Sequence, residues 1–230
     1  MIFDIRKLEV IIEEIKVDAL EYLRITPSDF NNFNFSHLVK ENSKYFNSYF
    51  GNDLLTIDNL KTFYTEHPSY MEELLSWHYY QKWNDLWLYY KYASSKSLDF
   101  GGGIGTMSFI LDFLDIKCDY YDVNIKMKNF VNFRIEKRGL KNITIIDKPL
   151  GQYKCIFFID VLEHLLDWKD IVKDLAINNL DVGGYIVNNT PFCKTNDHPM
   201  HFDSDIEVND YLRPFGFEEV EFSKVIRRNK

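Results

Sequence analysis

Leu98-Asp99-Phe100-Gly101-Gly102-Gly103-Ile104-Gly105-Thr106 decides the fold of this chain. It follows the polar run Ser94-Ser95-Lys96-Ser97 and precedes an apolar, helix-compatible run from Met107 to Leu114. The pattern predicts a strand, a glycine turn and the first turn of a helix. Backbone without Cβ atoms turns tightly and can lie against a ligand. The helix start adds unpaired N–H groups and a partial positive charge.

A dinucleotide-binding turn has similar glycines but wants Gly or Ala at the sixth position, where Thr106 stands. Asp99, two residues before Gly101, separates the two readings further. A fixed carboxylate there repels a pyrophosphate and suits a ligand with an ammonium group. Beyond it, Asp119-Tyr120-Tyr121-Asp122-Val123 reads as a second strand ending in an acid. A carboxylate at that tip accepts hydrogen bonds from ribose hydroxyls. Asp122 is the expected residue and Asp119 the other acid in reach. Capping of the next helix is the alternative use of Asp122.

On these residues the chain resembles the class I S-adenosylmethionine-dependent methyltransferases. Leu98, Asp99, Gly101, Gly103 and Gly105 meet that family's first motif. Cys155 to Leu165, containing Val161-Leu162-Glu163-His164-Leu165, resembles the strand and turn that follow. Trp168 to Leu180, Gly183-Gly184 and Tyr185 to Pro191 match the next helix, turn and strand. His201, a helix over 206–214 and Gly216-Phe217 complete the series, so the resemblance covers about residues 95–225. It implies S-adenosylmethionine as cofactor, which has an ammonium, a sulfonium and no phosphate. It also implies that Gly101, Gly103 and Gly105 approach the methionine end, that Asp99 orients the ammonium, and that Asp122 takes the ribose. Asp147, after the third strand, would meet the adenine amino group, a turn before Lys148-Pro149 being its alternative use. Asp160 lies at the end of the fourth strand, on the same edge as the other three acids.

The expected architecture is a Rossmann-like, doubly wound, mostly parallel α/β sheet with an N-terminal helical lid. The lid covers residues 1–95 and the cofactor domain 96–230. Strands are expected at 96–100, 118–122, 142–147, 154–159, 184–189 and 217–225. Only 14 residues follow Gly216, so the last strand of the closing hairpin should be missing or very short. In the lid, Ile5, Leu8, Ile12, Ile15, Ala19 and Leu23 recur at helical spacing. Helices over 36–49 and 58–64 follow. Ser69 and Glu72 read as a capping box opening a long aromatic helix from Met71 to Tyr92, with Trp77, Trp83 and Trp87. Its rings would wall the cofactor, Tyr92 nearest to it. The same rings would serve equally as core of a helical subdomain or as a homodimer interface.

The chain has 230 residues, 46% hydrophobic and 27% charged, which allows one or two domains with a buried core. No apolar run approaches the ~20 residues of a membrane span. Met1-Ile2-Phe3-Asp4-Ile5 lacks the basic start and apolar core of a leader. Cys118, Cys155 and Cys193 are odd in number and widely spaced, which suits reduced thiols of a cytoplasmic protein. A net charge of −8 disfavours a broad nucleic-acid surface. Lys137, Arg138 and Lys141 read as a solvated helix end.

The expected catalytic patch is Asn196-Asp197-His198-Pro199-Met200-His201-Phe202-Asp203, after the fifth strand. A neutral imidazole can take a proton from an oxygen or nitrogen acceptor. His201 is the expected base, with His198 next and a small molecule as acceptor. A second resemblance is to small-RNA 3′-end 2′-O-methyltransferases, which hold a divalent metal with a Glu-x-x-Glu-His set and a later His. Here Asp160 replaces the first Glu, while Glu163, His164 and His198 or His201 could complete the set. That substitution and the acidic composition lead to the expectation of no metal. A non-catalytic module on the same fold is the third alternative.

Overall fold

The computed structural model describes residues 5–51, 53–80, 85–221 and 224–229, with the side chains of 5–8 and 85–88 excluded. Alternating strand and helix patterns after residue 95 build seven strands. They are β1 (Lys96–Phe100), β2 (Lys117–Tyr121), β3 (Ile143–Ile145), β4 (Tyr153–Ile159), β5 (Leu180–Asn189), β6 (Phe217–Glu221) and β7 (Val225–Arg228). The sheet order is β3-β2-β1-β4-β5-β7-β6, with β7 antiparallel to both neighbours and the other pairings parallel. Strand order reverses between β1 and β4, the place where such sheets open a crevice at their carboxyl ends.

The strand expected over 217–225 is two strands. Buried Val225 and Ile226 pair with Val187 and Ile186 of β5 and seat β7 between β5 and β6. The last strand is therefore present, and short.

The N-terminal portion forms α1 (Ile5–Leu23), α2 (Pro27–Asn31), α3 (Phe35–Phe50), α4 (Ile57–Glu66) and α5 (Tyr70–Tyr80). Caps set their limits. Asn34 accepts the His37 amide at the start of α3, and Thr56 forms a capping box with Asn59 at the start of α4. The box expected at Ser69 is not made, because the Ser69 amide donates to His67 Nδ1 at 3.2 Å. The long helix expected over 71–92 is α5 followed by a 3₁₀ segment, Asp85–Tyr92. Trp83 and the residues around it, 81–84, lie outside the described residues, as does the side chain of Trp87. Residues 1–4, where a leader would begin, lie outside them too.

Two more helices flank the front of the sheet, α6 (Thr106–Phe113) and α7 (Ile125–Arg138). Ile11, Ile12, Ile15 and Ala19 of α1 share one core with Ile104, Phe109 and Phe130, so the core runs across residue 95 without a break. Fully buried Asp18 accepts from Arg134 Nε at 3.0 Å and Arg138 Nε at 2.7 Å, locking α1 to α7. On the opposite face, α8 (Trp168–Asp174) and α9 (Val208–Leu212) pack into a second core with Leu98, Ile156 and Ile186. A third cluster joins Phe46, Phe50, Leu60 and Phe63 of α3 and α4 to Met200 and Phe202 of the loop after β5. No helix among the described residues is long and apolar enough to cross a membrane.

Candidate functional site

Gly101, Gly102 and Gly103 turn the chain out of β1 and line a cavity of about 410 Å³. At Gly101 (φ +68) a Cβ would lie 2.3 Å from Val161 Cγ2. At Gly102 a Cβ would fall 2.7 Å from the Tyr120 ring and 2.8 Å from Asp99 Oδ2. Both positions exclude side chains, so the loop lies flat against the sheet with its backbone facing the cavity. Gly105 does not line the cavity. It is the left-handed cap of α6, buried against Val131 and Phe109, and Gly102 takes the lining place expected for it.

Asp99 and Asp122 both face this cavity. Asp99 Oδ2 accepts from the Ser108 amide at 3.1 Å and the Ser108 hydroxyl at 2.6 Å. Burial outweighs those bonds and raises its carboxyl to about 6. Asp122 Oδ2 accepts the Gly103 amide at 2.9 Å, and its Oδ1 accepts the Asn124 amide at 2.7 Å. Burial raises Asp122 as well, against those two amides. Each oxygen keeps a lone pair for a ligand. Holding the loop and meeting a ligand are thus compatible roles for Asp122, while Asn124 caps α7. Asp119 faces away, bound to Tyr153 Oη at 2.9 Å and Lys96 Nζ at 2.8 Å.

Asp160 lines the cavity in a left-handed conformation, φ +51, uncommon for a residue with a side chain. Burial raises its carboxyl to about 6, although Asn189 donates to it. Two expected residues lie elsewhere. The Asp147 side chain is fully exposed and paired with Lys128 at 2.9 Å, because β3 is only three residues long and ends before it. Tyr92 comes just before β1, at the opposite end of the sheet from the glycine turn. Its hydroxyl donates to Glu221 at 2.6 Å and its ring packs on Tyr185.

Tyr70, Glu73, Leu74, Trp77 and His78 line the other wall. They are one face of α5, at i, i+3, i+4, i+7 and i+8, a helical stripe that was legible in the sequence. Buried His78 shares a hydrogen bond with Thr106 Oγ1 at 2.7 Å. The threonine that breaks the dinucleotide pattern thereby ties α5 to the glycine turn. Burial pushes the His78 imidazole down to about 3.

At the far end stand Glu163, His164, His198 and His201, the two last from the loop after β5. His198 and His201 stack with centroids 4.9 Å apart, and His201 meets His164 edge-on at 4.7 Å. Tyr64 of α4 shares a 2.7 Å hydrogen bond with His164 Nδ1. Burial lowers His164 to about 3 and His201 to about 4, with neighbouring imidazoles adding to both. Burial lowers His198 too. Burial raises Glu163 well above the carboxylate range. The imidazoles are therefore neutral at pH 7.

Five of the six histidines and five carboxylates line this cavity, and no lysine or arginine does so among the described residues. A second cavity of about 280 Å³ adjoins it through Gly101, Asp122 and Asp160 and is walled by Phe100, Val123, Val161 and Leu165.

A family model described as a methyltransferase domain matches residues 64–223, more than half of the chain. No curated protein matches it by sequence. Among solved structures, phosphoethanolamine N-methyltransferase 2 of Haemonchus contortus is similar at TM-score 0.57 and 14% identity, over 73% of this chain and 46% of that one. An O-methyltransferase family protein from Burkholderia thailandensis gives 0.56 and 12%, over 73% and 62%. TehB from Haemophilus influenzae gives 0.50 and 20%, over 66% of each. The chain thus spans about half to two thirds of these proteins, and at such identities the likeness is one of fold. With the matched domain, the sheet order and the glycine turn between its two acids, the chain belongs to the class I S-adenosylmethionine-dependent methyltransferases.

Proposed function

We propose that the protein methylates an oxygen or nitrogen of a small molecule that carries no phosphate. The observation behind this reading is the lining of the larger cavity, five carboxylates with neutral imidazoles and aromatic rings. Buried acids with no cationic partner favour a ligand that brings positive charge. S-adenosylmethionine fits the near end on that ground, and the close approach permitted at Gly102 adds to the fit. When bound, it supplies an electrophilic methyl group on a sulfonium.

Asp99 would hold the ammonium and Asp122 the ribose hydroxyls. Val123, Val161 and Leu165 of the adjoining cavity would take the base in place of Asp147. Aromatic faces of Tyr70 and Trp77 suit a sulfonium. The acceptor would enter under α3 and α4, which act as the lid and pack on the loop carrying His198 and His201. One imidazole of that stacked pair would receive the acceptor's proton as the new bond forms. A polyanion such as RNA finds no lysine or arginine along this wall among the described residues. Buried, unpaired Cys118 and Cys155 and exposed Cys193 suit a reducing, cytoplasmic setting.

The test is mass spectrometry of methylated products from a panel of small amines, alcohols and phenols, with S-adenosylmethionine as donor. A +14 Da product that is lost in His198→Ala or in His201→Ala, with affinity for S-adenosylhomocysteine intact, supports the reading. Methylation of RNA alone, or undiminished turnover in both variants, overturns it.

A further inference from the structure

We propose that the methyl acceptor is a small amine, bound as its ammonium, with Glu163 as the anchoring carboxylate and His201 as the proton acceptor. This deepens the methyltransferase reading and rests on it.

Glu163 is fully buried, it lines the larger cavity, and neither carboxylate oxygen has a hydrogen-bond partner. A buried acid without a partner is costly, and an ammonium beside it removes that cost. An alcohol or a phenol brings no charge and leaves the acid uncompensated. The protein offers no substitute among the described residues. No lysine or arginine lines the cavity, and Lys224 gives its ammonium to Asn189 instead.

The charge along the wall points the same way. Burial raises the Tyr70 hydroxyl, and the charges of Asp122, Glu73, Glu163 and Asp160 raise it further. Carboxylates from the end of β2, from α5 and from the turn after β4 thus converge on one hydroxyl. Such a wall draws a cation in and repels an anion.

The Phe202 amide donates to the Glu163 carbonyl at 2.7 Å, which pins the loop bearing His201 against the acid. A Glu163 carboxylate oxygen and ring nitrogens of His164 and His201 lie within 4.8 Å of one another. A tetrahedral nitrogen donating two charged hydrogen bonds of about 2.8 Å spans roughly 4.6 Å. One ammonium therefore bridges Glu163 and His201. It gives one proton to the neutral His201 imidazole, and rotation about its C–N bond turns the freed lone pair toward the methyl group. The N–C bond forms as the C–S bond of the sulfonium breaks and its electron pair stays on sulfur. Positive charge remains beside Glu163 throughout. It sits first on the ammonium, then on the imidazolium, and after transfer on the methylated nitrogen as well.

The experiment is calorimetry on the full chain saturated with S-adenosylhomocysteine, in the presence of chelator. The probes are amines paired with alcohols of the same carbon skeleton, benzylamine with benzyl alcohol and butylamine with butanol. Wild type should bind at least one amine roughly tenfold or more tighter than its alcohol, the worth of one charged hydrogen-bonded pair. Glu163→Gln should lose that preference, while Glu66→Gln, the same change at an exposed position, should keep it. Glu163→Gln should also melt no lower than wild type, because it removes an unpartnered acid. Equal affinity of wild type for both members of each pair, or a preference undiminished in Glu163→Gln, overturns the proposal. Methylated alcohols or phenols without methylated amines remove the amine and keep the methyltransferase reading. Absence of any heat with S-adenosylhomocysteine removes that reading and this proposal with it.

Discussion

The Tyr64 hydroxyl lies 2.7 Å from His164 Nδ1, joining residues a hundred positions apart. It ties α4 to the turn after β4, so the roof of the cavity and its histidine-lined end share one hydrogen bond. Burial raises the Tyr64 hydroxyl well above its ordinary range, so it stays protonated and available for that bond. Tyr64→Phe should cost about 1 kcal/mol, the usual worth of one such bond. In a chain of this length that lowers the melting temperature by roughly 2–4 °C. Calorimetry should show unaltered affinity for S-adenosylhomocysteine, while the acceptor KM rises. A loss of cofactor affinity instead would mean that α4 covers the wrong end of the site.

Asp122→Ala removes both the acceptor of the Gly103 amide and the group proposed to meet the ribose. Affinity for S-adenosylhomocysteine should fall about tenfold or more, equivalent to about 1.4 kcal/mol or more. Isothermal calorimetry reads this directly, and an unchanged Kd would remove Asp122 from the cofactor site.

Gly102→Ala places a methyl group against the Tyr120 ring and Asp99. Tyr120 is fully buried and cannot retreat, so overpacking should cost about 1–3 kcal/mol. Cofactor affinity should drop together with the melting temperature. Wild-type values for both would show that the loop does not approach the ligand as closely as described.

Tyr92→Phe and Asp147→Ala supply the opposite control. Both side chains sit outside the cavity, one on Glu221 and the other on Lys128. Calorimetric affinities should stay within about twofold of wild type, as for changes at surface positions. A larger loss in either would restore that residue to the cofactor site.

Asp18 anchors α1 through Arg134 and Arg138. Burial alone would raise its carboxyl, but hydrogen bonds and charge from Arg138 and Arg134 outweigh burial and hold it below 3.8. Burial brings Arg134 down to about 10, still charged at neutral pH. The native carboxyl is the stronger acid, so its stabilisation is fully present above the unfolded value. It is lost as pH falls through the native one. Asp18→Asn should therefore cost about 3–5 kcal/mol at pH 7, because it strands a buried guanidinium. Its penalty should shrink as pH drops below the ordinary aspartate range. Denaturant melts at pH 7 and pH 3 measure both effects, and an equal penalty at the two values would contradict the pairing.

Asp99, Asp122 and the glycine turn were legible in the sequence because strand, turn and helix follow one another along the chain. Each local preference there points to the same structure. Periodicity likewise exposes the apolar stripe of α1, and the apolar runs of β2 and β4 that flank β1 in the sheet. The α5 stripe of Tyr70, Glu73, Trp77 and His78 has helical spacing, but aromatic residues fall on more than one face of that helix, so its cavity-facing side was assigned only by folding. Asp147 and Tyr92 mark the limit of that reading. How far β3 reaches toward residue 147 depends on packing, which sequence spacing does not encode, whereas residue 92 precedes β1 and so stands at the end away from the glycine turn. Local order along the chain thus determined the sheet, the turn and the cofactor class. That Tyr64 closes on His164, and that His201 is the ring set against it, was decided by tertiary structure, since long-range packing alone brings these three separate segments together.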